Sequence, residues 1–283
     1  MKFYQAATIK GGQDGAIFGK YLFRFNHKGE GRVYDLELIE KGEAEPISDI
    51  ALDRPEVICP HCNSVTFGSE YFAAGDEFPL LYANVYNNYA KEENKLKGVC
   101  CVYRITRDGE GFKTALVQLI EIGFVEDASL WKAKPEADGA RPYGNFAVDR
   151  ENNILYAFVM RNEERGTAYF AFDLPKLKEG ATDERFGVKK VVLNKDDIKN
   201  SFVCPEHHFI QGACCHGGKI YSLEGFRNSP ALRIIDPKKG AQESVTLFSD
   251  YGITDETEFI DFYGEKCYYG DCHGLLFRIE FDN

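Results

Sequence analysis

Residues 258–271 read EFIDFYGEKCYYGD, which divides into two short apolar segments joined by a turn at Gly264 and Glu265. A polar residue, Glu258, opens the first segment, and tyrosines dominate the second. Residues 274–281, GLLFRIEF, provide a third apolar segment. Short apolar runs bounded by glycine and acidic residues are typical of antiparallel β-strands. This stretch therefore predicts three successive strands with a polar group at the entrance.

The same pattern occurs four more times, beginning at Asp14, Asn63, Asn145 and Gln211. Each polar residue precedes a small apolar strand, and each is followed by two further strands rich in Tyr, Leu or Phe. Repeats of roughly 40–50 residues with four strands each are typical of β-propellers. The spacing fits at both ends of the chain, because Asn63 lies 49 residues after Asp14 and Glu258 lies 47 after Gln211. The two longer intervals contain insertions at 86–97 and 126–143.

The fourth strand of each blade is less regular. Residues 112–122 (FKTALVQLIEI), 189–194 (KKVVLN) and 242–248 (QESVTLF) are expected to close the second, third and fourth blades. The last repeat has only three strands, whereas residues 2–9 (KFYQAATI) form a strand with no other place. Pairing this N-terminal strand with the last blade would close the ring and remove a free sheet edge.

We therefore expect an all-β fold, a five-bladed β-propeller that occupies residues 1–283 as a single domain. A sixth blade hidden in the insertions and a β-sandwich are the alternatives.

Composition narrows the classes of partner. The chain has 45 acidic and 34 basic residues, a net charge of −11, which argues against binding to nucleic acid. The sequence has no apolar run long enough to span a membrane and no signal peptide at MKFYQAATIK. Nine cysteines, an odd number with two adjacent pairs, do not suit a disulfide framework and favour a reducing, cytoplasmic location. An export signal trimmed from the sequence is the alternative.

Several segments resemble a group of poorly characterised bacterial five-bladed propeller proteins, and the likeness covers nearly the full length. The segments are HCNSVTFG, DEFPLLYANV, YGNFAVDRENNILYAF, IQGACCHGGKIY and DETEFIDFYGEKCYYGD. The group has HANS where this chain has HCNS, so the resemblance gives Cys62 no essential role. It has Glu-Pro-Glu-Gly where this chain has Glu256-Thr-Glu258-Phe, which keeps both glutamates.

A more distant resemblance is to five-bladed glutaminyl cyclases, through the Gln-Gly pair at 211–212. Calcium-dependent apyrases share the fold and hold a cation with polar residues of their inner strands. These analogies imply an axial site and carry over no catalytic residue.

The first strand of each propeller blade lines the central channel, so the five polar residues that open these strands should converge at one mouth. Polar groups from separate segments that meet in one place form ligand pockets. The alternative is a channel whose polar residues only hold water. The predicted ligand-binding residues are Gln13, Asp14, Asn63, Arg141, Tyr143, Asn145 and Gln211, and the predicted acid–base residues are Glu258, His61 and Glu256.

Two metal ions, calcium and zinc, are candidates for binding to these residues. Calcium on the propeller axis is possible, because Asp14, Glu258 and the amide side chains form an all-oxygen group. Zinc is unlikely, although Cys59 and Cys62 form a C-x-x-C and residues 204–207 a C-x-x-H, because they belong to blades that are not neighbours. The sequence does not decide whether any metal is bound.

Two classes of function remain. The first is a hydrolase or transferase that acts on a small polar molecule, with Glu258 or Glu256 and His61 as acid and base. The second is a propeller that binds a ligand or a protein partner without chemistry. Whether the protein is an enzyme is left open.

Overall fold

The computed structural model describes residues 1–58, 60–85, 96, 98–124, 145–160, 166–205, 210–225 and 230–282. Almost all regular structure there is β-strand. The helical elements are short: α1 (Leu36–Ile39), α2 (Pro55–Ile58) and 3₁₀ turns at Lys195–Asp197 and Phe248–Tyr251. The strands are β1 (Lys2–Thr8), β2 (Gly15–Phe18), β3 (Tyr21–Phe25), β4 (Glu30–Asp35), β5 (Ser48–Ala51), β6 (His61–Phe67), β7 (Leu81–Val85), β8 (Val99–Asp108), β9 (Gly111–Ile122), β10 (Asn145–Asp149), β11 (Ile154–Met160), β12 (Thr167–Asp173), β13 (Ala181–Thr182), β14 (Lys189–Leu193), β15 (Asn200–Cys204), β16 (Ile210–His216), β17 (Lys219–Glu224), β18 (Ala231–Asp236), β19 (Ala241–Leu247), β20 (Thr257–Tyr263), β21 (Lys266–Asp271) and β22 (Leu275–Glu280).

Within the described residues the strands form five sheets, which are the five blades of a propeller. From the inside outward, blade one is β2-β3-β4-β5, blade two begins β6-β7-β8-β9, and blade three is β10-β11-β12-β15. Blade four is β16-β17-β18-β19, and blade five is β20-β21-β22-β1. The innermost strands contact one another in a closed ring, and those of blades two and four also approach across the axis. The five-bladed propeller predicted from the repeats is confirmed.

The ring is closed by the N-terminal strand, as the sequence predicted. Strand β1 pairs antiparallel with β22, from Lys2 opposite Glu280 to Thr8 opposite Leu275. Blade five therefore contains both ends of the described chain, and pairing of its third strand with β1 removes an exposed edge.

One strand assignment was wrong. Residues 189–194 do not close blade three; β14 instead pairs in parallel with β9 and extends blade two. The short strand β13 pairs with β14, so blade two has six strands. The fourth strand of blade three is β15, which pairs antiparallel with β12. An outer-edge strand is half solvated, so hydrophobicity alone favoured KKVVL over the more polar NSFVC.

Alternating side chains build the packing between blades. In β3, Tyr21, Phe23 and Phe25 face blade two, where Phe23 packs edge-to-face against Phe78 and Phe112 at ring-centroid distances of 5.3 and 5.4 Å. Such edge-to-face contacts add about 0.5–1.5 kcal/mol to the area that each ring buries. Among the described residues no helix is both long and apolar enough to cross a membrane.

Candidate functional site

Three of the predicted site residues lie at irregularities of the inner strands. The pairing register shifts in β20 at Glu258, in β16 at Gln211 and in β6 around Asn63. A β-bulge takes a residue out of the ladder and re-aims its side chain, and bulges are common beside active sites. The inner strands thus use a local device to turn polar side chains towards the axis.

The entrance to β6 carries a second unusual feature. His61 and Cys62 both have positive φ, 63° and 60°, which is rare for residues with a side chain. Each such residue costs on the order of 1 kcal/mol or more, and the surrounding contacts must hold it in place. Part of that support comes from Asp14, whose backbone N–H donates to the Cys62 carbonyl at 2.9 Å and whose Oδ2 accepts from the Val65 N–H at 2.9 Å.

Asn145 is placed at the axis but is engaged in the fold. Its Oδ1 accepts from Asn84 Nδ2 at 3.3 Å, and its own Nδ2 donates to the Ile210 carbonyl at 3.1 Å. Asn84 in turn accepts from the Ser64 N–H at 2.9 Å. This chain of bonds ties blades two, three and four together, so both ends of the Asn145 amide are used by the protein.

The two glutamine side chains pair with the two glutamates. Gln13 Nε2 donates to Glu258 Oε1 at 3.3 Å, and Gln211 Nε2 donates to Glu256 Oε1. Glu258 is 4% exposed, whereas Gln13 and Glu256 are half-buried and lie nearer the solvent. Glu256 and Gln13 therefore form the rim, and Glu258 the base, of the same opening.

Several buried oxygens at this opening have no hydrogen-bond partner. Asp14 is fully buried, and Asn63 and Glu258 are 6% and 4% exposed. Leaving a buried polar atom unsatisfied costs about 1–3 kcal/mol, and native proteins contain few of them unless a water, ion or ligand is bound. The unpartnered oxygens are Gln13 Oε1, Asp14 Oδ1, Asn63 Oδ1 and Glu258 Oε2.

Gly212 shows how closely these groups approach. A Cβ atom at this position would lie 2.9 Å from the Glu258 carbonyl oxygen and 3.4 Å from Asp14 Oδ1. Blade four therefore touches blades one and five between the two carboxylate residues, and only a glycine leaves that space free.

Arg24, on β3, is a buried cation that sequence reasoning missed. Its side chain is 0% exposed, its Nη2 donates to the Asp271 carbonyl at 3.0 Å, and its guanidinium stacks on Phe259 at 5.2 Å from the ring centroid. Its Nε and Nη1 have no hydrogen-bond partner. A Cβ on Gly270 of blade five would collide with Nη1, so only a glycine at this position leaves room for the guanidinium.

The buried ionisable groups shift one another's pKa values. Burial raises the pKa of the Glu258 carboxyl well above its ordinary value and the charge of Glu256 raises it further, against Arg24 and Gln13, which lower it. Burial also raises the pKa of Asp14 well above its ordinary value. Burial lowers the pKa of Arg24, while the charges of Glu258 and Asp14 oppose that change. A carboxyl with a raised pKa can carry a proton near neutral pH and donate it.

The other predicted site residues lie at the rim or outside the described part of the chain. His61 is half-buried at the rim, with its ring centroid 6.4 Å from that of His27. Arg141 and Tyr143 lie outside the described residues, as do Cys59 and His207 of the zinc alternative. In the described part of the chain, no three His, Cys, Asp or Glu side chains are grouped to hold a metal ion.

Arg150, which follows β10, bridges three other blades at the far end of the channel. Its Nε donates to the Phe67 carbonyl at 2.9 Å, and its Nη2 to the Ile17 carbonyl at 3.3 Å and Asp261 Oδ2 at 3.4 Å. Asp261 also accepts from the Ile17 N–H at 2.7 Å. One side chain of blade three thus joins the inner strands of blades one, two and five.

A groove of about 1010 Å³ lies on that far face, between blades two and three, and is lined in part by Asn153, Phe172 and Val192. None of its lining side chains has a buried atom without a partner among the described residues. Unsatisfied polar groups thus favour the axial mouth over this groove.

Comparison with known proteins assigns no chemistry to this chain. No protein-family model matches the sequence, and no curated protein matches it significantly. The chain is similar in fold to the glutaminyl cyclase of Myxococcus xanthus, with a TM-score of 0.49 and 14% identity over 99% of this chain and 94% of that chain. It is similar to the PQQ-bound aldose sugar dehydrogenase of Streptomyces coelicolor, with a TM-score of 0.48 and 12% identity over 98% and 97% of the two chains. At such identities the likeness concerns the fold alone.

Proposed function

We propose that this propeller binds a small polar molecule at its axial mouth and acts on it by acid–base chemistry. The observation that carries the proposal is the set of four buried oxygens without partners, contributed by blades one, two and five. Buried polar atoms left unsatisfied in a concave place are what a bound ligand would satisfy.

Glu258 is the proposed acid–base residue. Burial beside Glu256 keeps its carboxyl protonated to a higher pH than an ordinary glutamate, which suits a general acid. Asp14 and Asn63 would hold the substrate, and His61 at the rim would be the partner of Glu258 in proton transfer. The reaction class that fits these groups is hydrolysis or group transfer.

The test uses ligand-observed NMR with mixtures of sugars, amino acids, carboxylates, amines and phosphate esters. We expect at least one compound to bind the wild-type protein and to bind Asn63→Ala more weakly. A matched control is Glu265→Gln, because this carboxylate is 96% exposed at the other end of the β20–β21 hairpin. Binding that is identical in all three proteins, or absent from all, would overturn the proposed site.

Turnover is tested on the compounds that bind. We expect the wild-type protein to convert one of them and Glu258→Gln to bind it without conversion. Binding without any conversion by the wild-type protein would reject the enzymatic role and favour a propeller that only recognises its ligand.

A further inference from the structure

The amide groups of Gln13 and Gln211 at the axial mouth share one orientation, with the nitrogen bonded to the protein. Gln13 Nε2 donates to the Gly12 carbonyl at 2.7 Å and to Glu258, and Gln211 Nε2 donates to Glu256. The Gly12 carbonyl only accepts hydrogen bonds, which fixes the position of the Gln13 nitrogen, and the Glu256 carboxylate fixes that of Gln211 in the same way. The amide nitrogens of Gln13 and Gln211 are thus turned into the protein, and the Gln13 oxygen is left without a partner.

The unpartnered atoms at the mouth are consequently all oxygens. Gln13 Oε1, Asp14 Oδ1, Asn63 Oδ1 and Glu258 Oε2 can each accept a hydrogen bond. Arg24 also has two unpartnered donors, Nε and Nη1, but this side chain is 0% exposed, its Nη1 lies against Gly270 and its guanidinium stacks on Phe259. The side chains of Gln13, Asn63 and Glu258 are more exposed than Arg24, so a ligand entering from solvent meets their oxygens first.

Most of the ionisable groups at the mouth are acidic, which also favours a ligand that donates hydrogen bonds. Glu256 lies at the rim, Glu258 and Asp14 at the base, and Asp271 beside them. Arg24 is the cation that faces Asp14 and Glu258 in the described part of the chain, so acidic groups outnumber it. Burial raises the pKa of Asp14 and Glu258, and a bound cation would favour their ionised forms, which accept hydrogen bonds.

We infer that the ligand of this site is an organic cation with N–H donors, a primary ammonium, whose hydrogens bond the oxygens of Asp14, Asn63 and Glu258. The inference rests on the proposed function and names the class of its ligand. An ammonium offers three donors around one positive charge, which matches acceptors that converge from three blades.

Two other classes fit less well. A hydroxyl-rich neutral ligand brings as many acceptors as donors, and its acceptors would face the oxygens of the site. Calcium requires six to eight oxygen ligands, and one oxygen of the Asp14 carboxylate is already bonded to the Val65 N–H.

The probes are n-butylammonium, its uncharged counterparts 1-butanol and butyramide, tetramethylammonium, which has a charge and no N–H, and calcium chloride. Binding is measured by saturation-transfer NMR and calorimetry at neutral pH on wild-type protein, Glu258→Gln, Asn63→Ala and Glu265→Gln. Thermal unfolding confirms that each variant is folded. We expect n-butylammonium to bind wild type and Glu265→Gln equally, and Glu258→Gln roughly tenfold more weakly, as loss of a charged hydrogen bond predicts.

Each other outcome rejects the inference. Preferential binding of 1-butanol or butyramide, lost in Asn63→Ala, would show a site for neutral ligands and leave the proposed function standing. Equal binding of tetramethylammonium would show that charge alone is recognised. Calcium binding that depends on Glu258 would assign the oxygens to a metal. No binding by any probe, together with failure of the broader mixtures, would reject both the ligand class and the site.

Discussion

The buried carboxyl of Glu258 makes a prediction that needs no ligand. Replacing it by glutamine keeps the shape and the acceptor for Gln13 but removes the ionisation. We expect Glu258→Gln and wild type to have a similar pH dependence of stability below about pH 4.3, where an ordinary glutamate is protonated. Above that pH the wild-type protein should lose stability relative to the variant.

The sign follows from the raised pKa of Glu258. Between the unfolded and the folded pKa, the folded state retains a proton that the unfolded state has released, so rising pH favours unfolding. The loss is about 1.4 kcal/mol per pH unit across that window and then levels off at the folded pKa.

The assay is urea unfolding of both proteins at a series of pH values, with the difference in free energy plotted against pH. Glu265→Gln serves as the control and should give a flat difference, because its carboxylate is exposed. A flat difference for Glu258→Gln, or a wild type that gains on it as pH rises, would refute the claim that this carboxyl is held neutral by burial.

Two further substitutions test the packing around the channel. Gly270→Ala should destabilise the protein by roughly 1–3 kcal/mol, because its Cβ would displace the Arg24 guanidinium. Gly12→Ala is the control, because a Cβ there would lie 3.9 Å from its nearest neighbour, and it should change stability by less than about 0.5 kcal/mol. Equal denaturation midpoints for the Gly270→Ala and Gly12→Ala variants would contradict the predicted collision with Arg24. Arg150→Met should cost roughly 2–3 kcal/mol in urea unfolding by leaving the Asp261 carboxylate buried without its cation, and a wild-type midpoint would show that the bridge is dispensable.

The blade count could be predicted from sequence because each blade repeats a polar residue, a small apolar strand and a turn. Closure by residues 2–9 was predictable for the same reason, since one blade lacked a strand. The placement of β14 was not predictable, because an edge strand can join either of two neighbouring blades and its residues look alike in both. The register shifts could not be predicted either, because the alternation of polar and apolar residues does not show that Glu258 is an extra residue in the pairing of β20 with β21.

The positions of the candidate residues were easier to predict than their contacts. Asp14, Asn63, Asn145, Gln211 and Glu258 were all expected at the axis, but the sequence could not show that Asn145 would be consumed by bonds between blades. Arg24 escaped notice because an arginine in an alternating strand normally faces solvent. Its weak signal is its place on the same face as Leu22, which is also fully buried. Its burial also depends on the space beside Gly270 of another blade, which is distant in sequence.

The bridge made by Arg150 also fixes the spacing of the blades. One side chain joins the inner strands of blades one, two, three and five, so these four blades are held together at one end of the channel. The proposed site beside Gln13 and Glu256 lies at the other end. A change at Arg150 should therefore loosen the ring of blades without removing any residue of the proposed site.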